Sequence, residues 1–486
     1  KAGENRRDRQ VINRKLLLPV VILMAFSGAR GQFYNGSQQE FGKNRVQYQD
    51  FLWQYYRFPE LETYFYKGGR DVARFVSISG HRNKREMEKF FDFTVDDRIQ
   101  FVVYNSLTDF RQSNVGVTGD EQYNIGGVTR IVGTKIFVYN EGDHDLLERQ
   151  VRSGIAQLMI DQMMYGGNWR EVLKNSTLLN LPEWYTKGLV AYCAGPWDAR
   201  SESRIRDGVL GTRFKRFNRL EGDDATLAGL TVWTYVAETY GPSVIPNILY
   251  MTRVSRNPES GFNYVLGVGL KQLTQECMDH YRARFAEEER QRTEVKMEEL
   301  KVKTRKTRTY SEFKLSPDGK YAAWVSNELG QYKVWLYDRA KKKAKRLVKG
   351  EKKLNRIIDK SFPVLAWHPT GRALTWTSEK KGELYLTTYT LDDKSFTRKP
   401  VFMLEKVLSM AYSDDGQNMV FSGVREGRTD LYLYYTIGNR QEQLTDDQFD
   451  DLDPSFADNG GSILFSSDRP DDTLRANADV IWWNSR

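Results

Sequence analysis

The chain is long, basic and rich in aromatic side chains. Its 486 residues exceed what one ordinary hydrophobic core holds, so we expect two or three domains. A hydrophobic fraction of 40% and an aromatic fraction of 13% exclude a wholly disordered chain, because this apolar surface offsets chain entropy. The net charge of +9 is spread over a large surface and no nucleic-acid-binding module is recognised, so we expect no nucleic-acid partner.

Residues 1 to 31 indicate an export signal peptide. A positive segment at Arg14 and Lys15 precedes an apolar run from Leu16 to Phe26 and a small-residue exit. The run is shorter than the roughly 20 residues of a membrane helix. A buried core element is the alternative, but the two flanks favour the signal, and we expect a periplasmic protein.

The two cysteines, Cys193 and Cys277, both lie far from the signal. We therefore expect no lipid anchor at the mature N-terminus. The two thiols could pair in an oxidising compartment, and two separate buried thiols are equally compatible with the sequence.

Four segments follow the signal. Residues 32 to 61 are aromatic and polar without a clear period, which predicts an extended leader. Residues 62 to 292 mix β-rich and helical patterns and predict an α+β domain, with a strong helical stripe from Leu146 to Met164. Residues 293 to 309 are dense in charge and predict a linker.

A turn pattern repeats in residues 310 to 486. It is Ser-Pro-Asp-Gly at 316 to 319 and returns in related form at Gly371, Gly416 and Gly460. A period of about 40 to 50 residues is typical of β-propeller blades, and Asp-Gly supplies the positive φ of a tight hairpin. Four blades are visible, and we expect the natural protein to continue beyond its last printed residue.

These repeats resemble the TolB-like, WD40-related propellers of bacterial envelope proteins. The strands Tyr321-Ala-Ala-Trp-Val and Val334-Trp-Leu-Tyr-Asp carry the resemblance together with the turns. The resemblance implies an all-β propeller, but it does not fix an activity, because propellers serve as enzymes and as scaffolds.

Residues 181 to 192, LPEWYTKGLVAY, resemble a segment of the peptidase MA-like (gluzincin) family, Pro-x-Trp-x-x-Glu-Gly-Leu-Ala-x-Tyr. The glutamate of that segment is a zinc ligand in the family, and Lys187 stands in its place. The family's His-Glu-x-x-His helix corresponds to a stretch in which Ser153 and Gln157 replace the histidines and Gly154 replaces the glutamate base. The resemblance thus implies a gluzincin-like domain with a degenerate zinc site.

The replacements at the former zinc positions argue against zinc chemistry. Zinc in a peptidase needs three imidazole or carboxylate ligands and an open position for water. Serine and glutamine are poor ligands, and an ammonium repels the metal. We therefore expect no catalytic residue, no metal, no cofactor and no enzymatic activity, and we expect Lys187 to donate a hydrogen bond to Gln157 or Ser153.

Two regions are predicted to contact a partner. One is the former peptide groove with Trp184 and Tyr185. The other is a basic run between the first two blades, which suits an acidic partner or anionic headgroups and has a hydrated loop as its alternative. The run comprises Lys341, Lys342, Lys343, Lys345, Arg346, Lys349, Lys352 and Lys353.

Two further features receive ordinary structural interpretations. The aspartates between Asp446 and Asp453 could bind Ca²⁺, but they lack the spacing of an EF-hand loop, so we interpret them as a solvated blade connection. His144, near the start of the predicted helix, is interpreted as a cap or surface residue.

Together these expectations predict that the protein is a non-catalytic periplasmic scaffold with protein partners. Proteins with both domains resemble those of Bacteroidota envelopes, which implies a subunit of an outer-membrane protein assembly or secretion complex. The basic run adds the expectation of a peripheral contact with an anionic membrane surface. The alternatives are a metallopeptidase-related enzyme with an unrecognised site and a glycan-binding module using propeller aromatics such as Trp482 and Trp483.

Overall fold

The structure, a computed structural model, describes most of the chain after the leader. All described residues belong to one compact unit, Arg45–Arg486. The predicted signal lies outside the described residues. The described ranges are 50 to 113, 134 to 166, 179 to 211, 213 to 290, 308 to 328, 330 to 350 and 361 to 469, with the residues 47, 123, 124, 127, 128, 131, 132, 292, 293, 300 and 302 to 305 between them.

The first part of the unit contains a five-stranded mixed sheet. Its order is β1-β2-β3-β7-β6, and the central strand β3 runs parallel to β2 and β7. Strands β4 and β5 form a separate two-stranded ribbon. The bounds are β1 (Gln54–Arg57), β2 (Leu61–Phe65), β3 (Ile99–Tyr104), β4 (Tyr123–Asn124), β5 (Gly127–Val128), β6 (Ile131–Val132) and β7 (Lys135–Tyr139).

The predicted boundary between leader and domain at residue 61 is wrong. Strand β1 lies inside the predicted leader and pairs antiparallel with β2. Cross-strand aromatic contacts explain the pairing, because the rings of Tyr56 and Phe65 lie 4.8 Å apart and those of Tyr55 and Tyr64 lie 5.5 Å apart. The sheet therefore begins at Gln54.

Helices pack against this sheet and share a hydrophobic core with it. Phe101 of β3, Leu147, Trp184 and Trp233 are fully buried in one hydrophobic cluster. The helical stripe predicted from the sequence is confirmed by α3. The helices are α1 (Arg70–Phe91), α2 (Leu107–Phe110), α3 (His144–Tyr165), α4 (Glu183–Ala194), α5 (Ala199–Leu210), α6 (Gly222–Tyr240), α7 (Val244–Ser255), α8 (Pro258–Leu266) and α9 (Leu270–Arg290).

Helices α4 and α6 approach each other closely through facing glycines. A Cβ atom at Gly229 would lie 1.9 Å from the carbonyl oxygen of Trp184, and one at Gly188 would lie 2.4 Å from the Cα of Gly229. Only glycine allows backbones to come this near. This contact fixes the helix that carries Lys187.

The second part of the unit consists of antiparallel sheets. Three of them have four strands each in a meander, and a further one is described by two strands. Their strands are β8 (Thr309–Leu315), β9 (Tyr321–Glu328), β10 (Gln331–Asp338), β11 (Lys343–Lys349), β12 (Leu365–Trp367), β13 (Ala373–Lys380), β14 (Glu383–Thr390), β15 (Phe396–Pro400), β16 (Lys406–Tyr412), β17 (Asn418–Arg425), β18 (Arg428–Tyr435), β19 (Arg440–Gln443), β20 (Asp451–Ala457) and β21 (Ser462–Ser467).

The repeating turns join the first two strands of each sheet, as the propeller prediction requires. Gly319, Gly371, Gly416 and Gly460 all have positive φ, between 67° and 89°. The sheets are propeller-like, with three four-stranded blades and the first hairpin of another. Trp482 and Trp483, which the glycan-binding alternative uses, lie outside the described residues.

The end of the predicted linker packs on the first blade. Leu300 and Val302 lie against a small cluster of Ala322, Trp324 and Tyr337. Burial of these two apolar side chains is favourable because it removes apolar surface from water. This end of residues 293 to 309 is therefore packed and is not a free connector. None of the helices in the described part of the chain is long and apolar enough to cross a membrane.

Candidate functional site

The gluzincin resemblance predicts a lost zinc site at Ser153, Gly154, Gln157 and Lys187, which we call the former zinc positions. Two of these side chains are hydrogen-bonded within their own helices. The Nε2 atom of Gln157 donates a hydrogen bond to Asp161 at 2.8 Å, and Nζ of Lys187 donates to Oε2 of Glu183 at 2.7 Å. The Ser153 hydroxyl is buried and has no hydrogen-bond partner among the described residues. The predicted bond from Lys187 to Gln157 or Ser153 is therefore wrong. Glu183 lies one helical turn before Lys187, where a salt bridge forms readily.

Glu183 also links α4 to the start of α6. Oε2 of Glu183 also accepts a hydrogen bond from the backbone N–H of Gly222 at 2.8 Å, at the start of α6. Burial alone would raise the pKa of Glu183, but the bonds from Lys187 and Gly222 lower it below its usual value. Burial raises the pKa of Asp161 to about 6, against the opposing bond from Gln157. Lys187 thus helps to hold α4 against α6.

The prediction that Trp184 and Tyr185 contact a partner is wrong. Both side chains are fully buried. The Trp184 indole N–H donates to Asn218 at 3.0 Å, and the Tyr185 hydroxyl donates to Thr252 at 2.9 Å. Their rings pack among those of the helical core, which explains the aromatic pair without a ligand.

The basic run forms an exposed edge of the first blade. Lys341, Lys342, Lys343, Lys345, Arg346 and Lys349 are exposed, and the last four lie on β11, which pairs only with β10 among the described strands. Nζ of Lys341 lies 3.0 Å from Asp338. Lys352 and Lys353 lie outside the described residues. The partner role of this edge stays a prediction.

Sequence reasoning missed a polar contact between the helical part and the propeller. The backbone N–H of His144, in the first turn of α3, donates to Oδ2 of Asp450 at 2.6 Å, and its Nδ1 lies 2.8 Å from Oδ1. The two side chains are 7% and 6% exposed. The interpretations of His144 as a cap or surface residue and of Asp450 as solvated are both corrected. The orphan N–H groups of a helix start favour a carboxylate.

Neighbouring contacts extend this interface. The Thr429 hydroxyl donates to the carbonyl of Gly142 at 2.6 Å, and Asn140 donates to the carbonyl of Gly427 at 3.3 Å. A Cβ atom at Gly427 would lie 2.1 Å from a methyl group of Val72. The β17 to β18 turn therefore fits closely against the helical part. We call the contacts of Asn140, Gly142 and His144 with Gly427, Thr429 and Asp450 the junction.

Three buried aspartates form the group best suited to a cation in the described part of the chain. Carboxylate oxygens of Asp430, Asp447 and Asp451 lie within 4.8 Å of one another. Such oxygens are ligands for Ca²⁺ or Mg²⁺. However, Nη2 of Arg469 lies 2.6 Å from Asp451 and 3.2 Å from Asp447, so a guanidinium already supplies positive charge. We assign no metal here.

Comparisons with known proteins give TolB among the relatives of the chain. No protein-family model matches the sequence. A 92-residue segment is 34% identical to the Tol-Pal system protein TolB of Anaeromyxobacter dehalogenans and covers 19% of this chain and 20% of that protein. TolB of Anaeromyxobacter sp. matches with the same identity and coverage. The chain thus has TolB-like relatives. It spans about a fifth of the length of these curated proteins.

Solved structures give a similar but weak likeness. TolB from Acinetobacter baumannii has 17% identity and a TM-score of 0.28, over 32% of this chain and 37% of that one. The β-propeller domain of the Trilobed protease from Pyrococcus furiosus has 10% identity and a TM-score of 0.24, over 31% and 47%. These likenesses carry no further conclusion. The relatives found by sequence confirm the predicted TolB-like resemblance, while the gluzincin relationship stays a prediction.

The buried aspartates of the propeller-like part make the stability of the protein depend on pH. Burial raises the pKa of Asp430 from 3.8 to about 7, and the nearby aspartates add to the rise. Below pH 3.8 the carboxyl is protonated in both states, so its full contribution to stability is present. As the pH rises, the unfolded state loses this proton first, and the loss of stability is complete once the pH passes about 7.

We expect Asp430→Asn to reduce this pH dependence. Between pH 5 and pH 8 the unmodified protein should lose about 1 to 2 kcal/mol more unfolding free energy than the variant, because the amide cannot ionise. Urea unfolding at the two pH values measures the difference. Asp414→Asn, at an exposed turn position, is the control and should behave like the unmodified protein. An equal pH dependence in all three proteins would contradict the assignment.

Proposed function

We propose that the chain is a non-catalytic periplasmic scaffold, a protein-binding subunit of a cell-envelope complex for outer-membrane protein assembly or secretion. The observation that carries the proposal is the junction. Its polar groups are buried and paired, so they specify one arrangement of the helical part and the propeller. A scaffold needs such a fixed arrangement to present two surfaces to its partners.

The chemistry at the former zinc positions supports the non-catalytic part of this proposal. Lys187 brings an ammonium where a zinc ligand is needed, and its charge is already compensated by Glu183. Gln157 is bonded to Asp161. Neither residue offers the imidazole or carboxylate ligand that zinc requires.

The TolB-like relatives support envelope partners. The relatives are named as proteins of the Tol-Pal system, and we extend from them only the class of partner, a protein of the envelope. The predicted signal at residues 1 to 31 supports a periplasmic location at the outer membrane. The exposed basic edge of β11 suits an acidic partner or an anionic membrane surface.

Gentle purification from the native host tests the scaffold. We expect the tagged full-length protein to bring down outer-membrane assembly or secretion components in fixed ratio, identified by mass spectrometry. Asp450→Ala should lose these companions in part, because it breaks the junction, whereas the surface variant Asp414→Ala should keep them. A protein recovered alone, or one that holds stoichiometric zinc and cleaves peptides, would contradict the proposal in favour of the enzyme.

A further inference from the structure

A surface cavity of about 810 Å³ lies in the helical part. Residues from α1, α3, α4, α5, α6 and α9 line it, together with the loops after α4 and α6. None of the former zinc positions lines it, although Arg152 does and precedes Ser153 in the chain. Successive helical residues point about 100° apart, so the cavity and the former zinc positions use different faces of α3.

The charges of the lining leave one carboxylate without an ion pair. Arg152 lies 3.1 Å from Glu86, and Arg284 lies 3.2 Å from Glu202, so both guanidinium groups are already compensated. Glu238 also lines the cavity. Among the described residues it forms no salt bridge, and its hydrogen bond from the Tyr281 hydroxyl is long, at 3.4 Å.

Three aromatic side chains line the cavity together with Glu238. Phe90, Tyr192 and Trp197 line the same cavity and are half-buried. The Trp197 indole N–H donates to Thr234 at 3.1 Å, which fixes the ring. Burial raises the pKa of Tyr192, and the neighbouring Cys193 and Glu238 add to that rise.

We propose that this cavity binds a basic side chain, arginine or lysine, presented by a protein partner. A cation gains from an uncompensated carboxylate and from the faces of aromatic rings together. The apolar stem of such a side chain can lie along Met87 and Pro242, which also line the cavity. This inference rests on the protein-binding function proposed above, but its test uses peptides alone, so the two can fail separately.

Paired peptides test the charge requirement. The probes are acetyl-Gly-Arg-Gly-amide and the same peptide with citrulline, which keeps the shape of arginine but has no charge. We expect the full-length protein to bind the arginine peptide at least tenfold more tightly in calorimetric titrations. Equal affinity for the two peptides, or binding of neither, would overturn the proposal.

Variants of the lining test the location. Glu238→Gln should weaken binding of the arginine peptide at least fivefold and leave citrulline binding unchanged, because only the charge is removed. Glu259→Gln is the matched control, since Glu259 is an exposed helical glutamate outside the cavity. Tyr192→Phe should keep the affinity, whereas Tyr192→Leu should lower it through loss of the ring. Unchanged affinity in Glu238→Gln would place the binding elsewhere and overturn the proposal.

Discussion

Replacing Gly229 by alanine is expected to lower the unfolding free energy of the helical part by about 3 kcal/mol. The new Cβ would lie 1.9 Å from the carbonyl oxygen of Trp184, and a backbone atom cannot swing aside as the end of a long side chain can. Helices α4 and α6 would have to separate, which would open the core around Trp184. Urea unfolding followed by far-ultraviolet circular dichroism measures the loss.

Gly269 provides the matched control for this substitution. A Cβ at Gly269 meets no atom within 4 Å, and this glycine does not have a positive φ. Gly269→Ala should therefore change the unfolding free energy by no more than about 0.5 kcal/mol. Equal losses in the two variants would show that the close approach of α4 and α6 is not what limits this position.

Gly229→Ala should also disturb the cavity described above. Tyr192 lies on α4, and Thr234 and Glu238 lie on α6, so a separation of these helices moves two walls of the cavity relative to each other. The facing glycines therefore link the packing of the core to the binding site proposed above. Structure and binding are coupled here through backbone contact and not through a shared side chain.

Local patterns in the sequence predicted the elements that depend on local forces. The spacing of apolar residues from Leu146 to Met164 places one buried stripe on a helix, and α3 follows it. The repeated turns each place a glycine where a tight hairpin requires positive φ, and the structure has it at Gly319, Gly371 and Gly416. Both signals depend on only a few neighbouring residues, so the elements can be predicted from the sequence without knowledge of the fold.

The junction could not be predicted in this way. His144 and Asp450 are 306 positions apart, and no local period connects a helix start with a loop between blades. The aspartates near Asp450 were interpreted as solvated because acidic loops usually are. Burial against α3 is a property of the tertiary arrangement, and it reverses that interpretation.

The hydrogen bond predicted for Lys187 is wrong because a partner on its own helix competes with the more distant Gln157 and Ser153. The resemblance predicts that Lys187 stands at a replaced zinc position, which stays a prediction, but it did not predict the partner of the side chain. Glu183 is four residues earlier on the same helix, and its carboxylate reaches the ammonium without bending the backbone. The error at Trp184 has another origin, because the resemblance places its motif next to a predicted former active site and so suggested exposure, while the ring is fully buried.

Asp450→Ala is expected to weaken the junction by about 3 kcal/mol. The substitution removes the acceptor of the His144 backbone N–H and the partner of its imidazole, and both groups would remain buried without a replacement. Amide hydrogen exchange should therefore become about 100-fold faster in the first turn of α3 and in the β17 to β18 turn, because 1.4 kcal/mol corresponds to a factor of ten.

Asp143→Ala separates this effect from simple helix capping. Asp143 accepts a hydrogen bond from the backbone N–H of Leu146 at 3.0 Å and so caps α3 from within the helical part. Its loss should speed exchange in the first turn of α3 and leave the β17 to β18 turn unchanged. Faster exchange on both sides after Asp450→Ala, but on one side after Asp143→Ala, is the result that a contact joining the two parts requires. Exchange confined to α3 in both variants would mean that Asp450 serves only as a second cap.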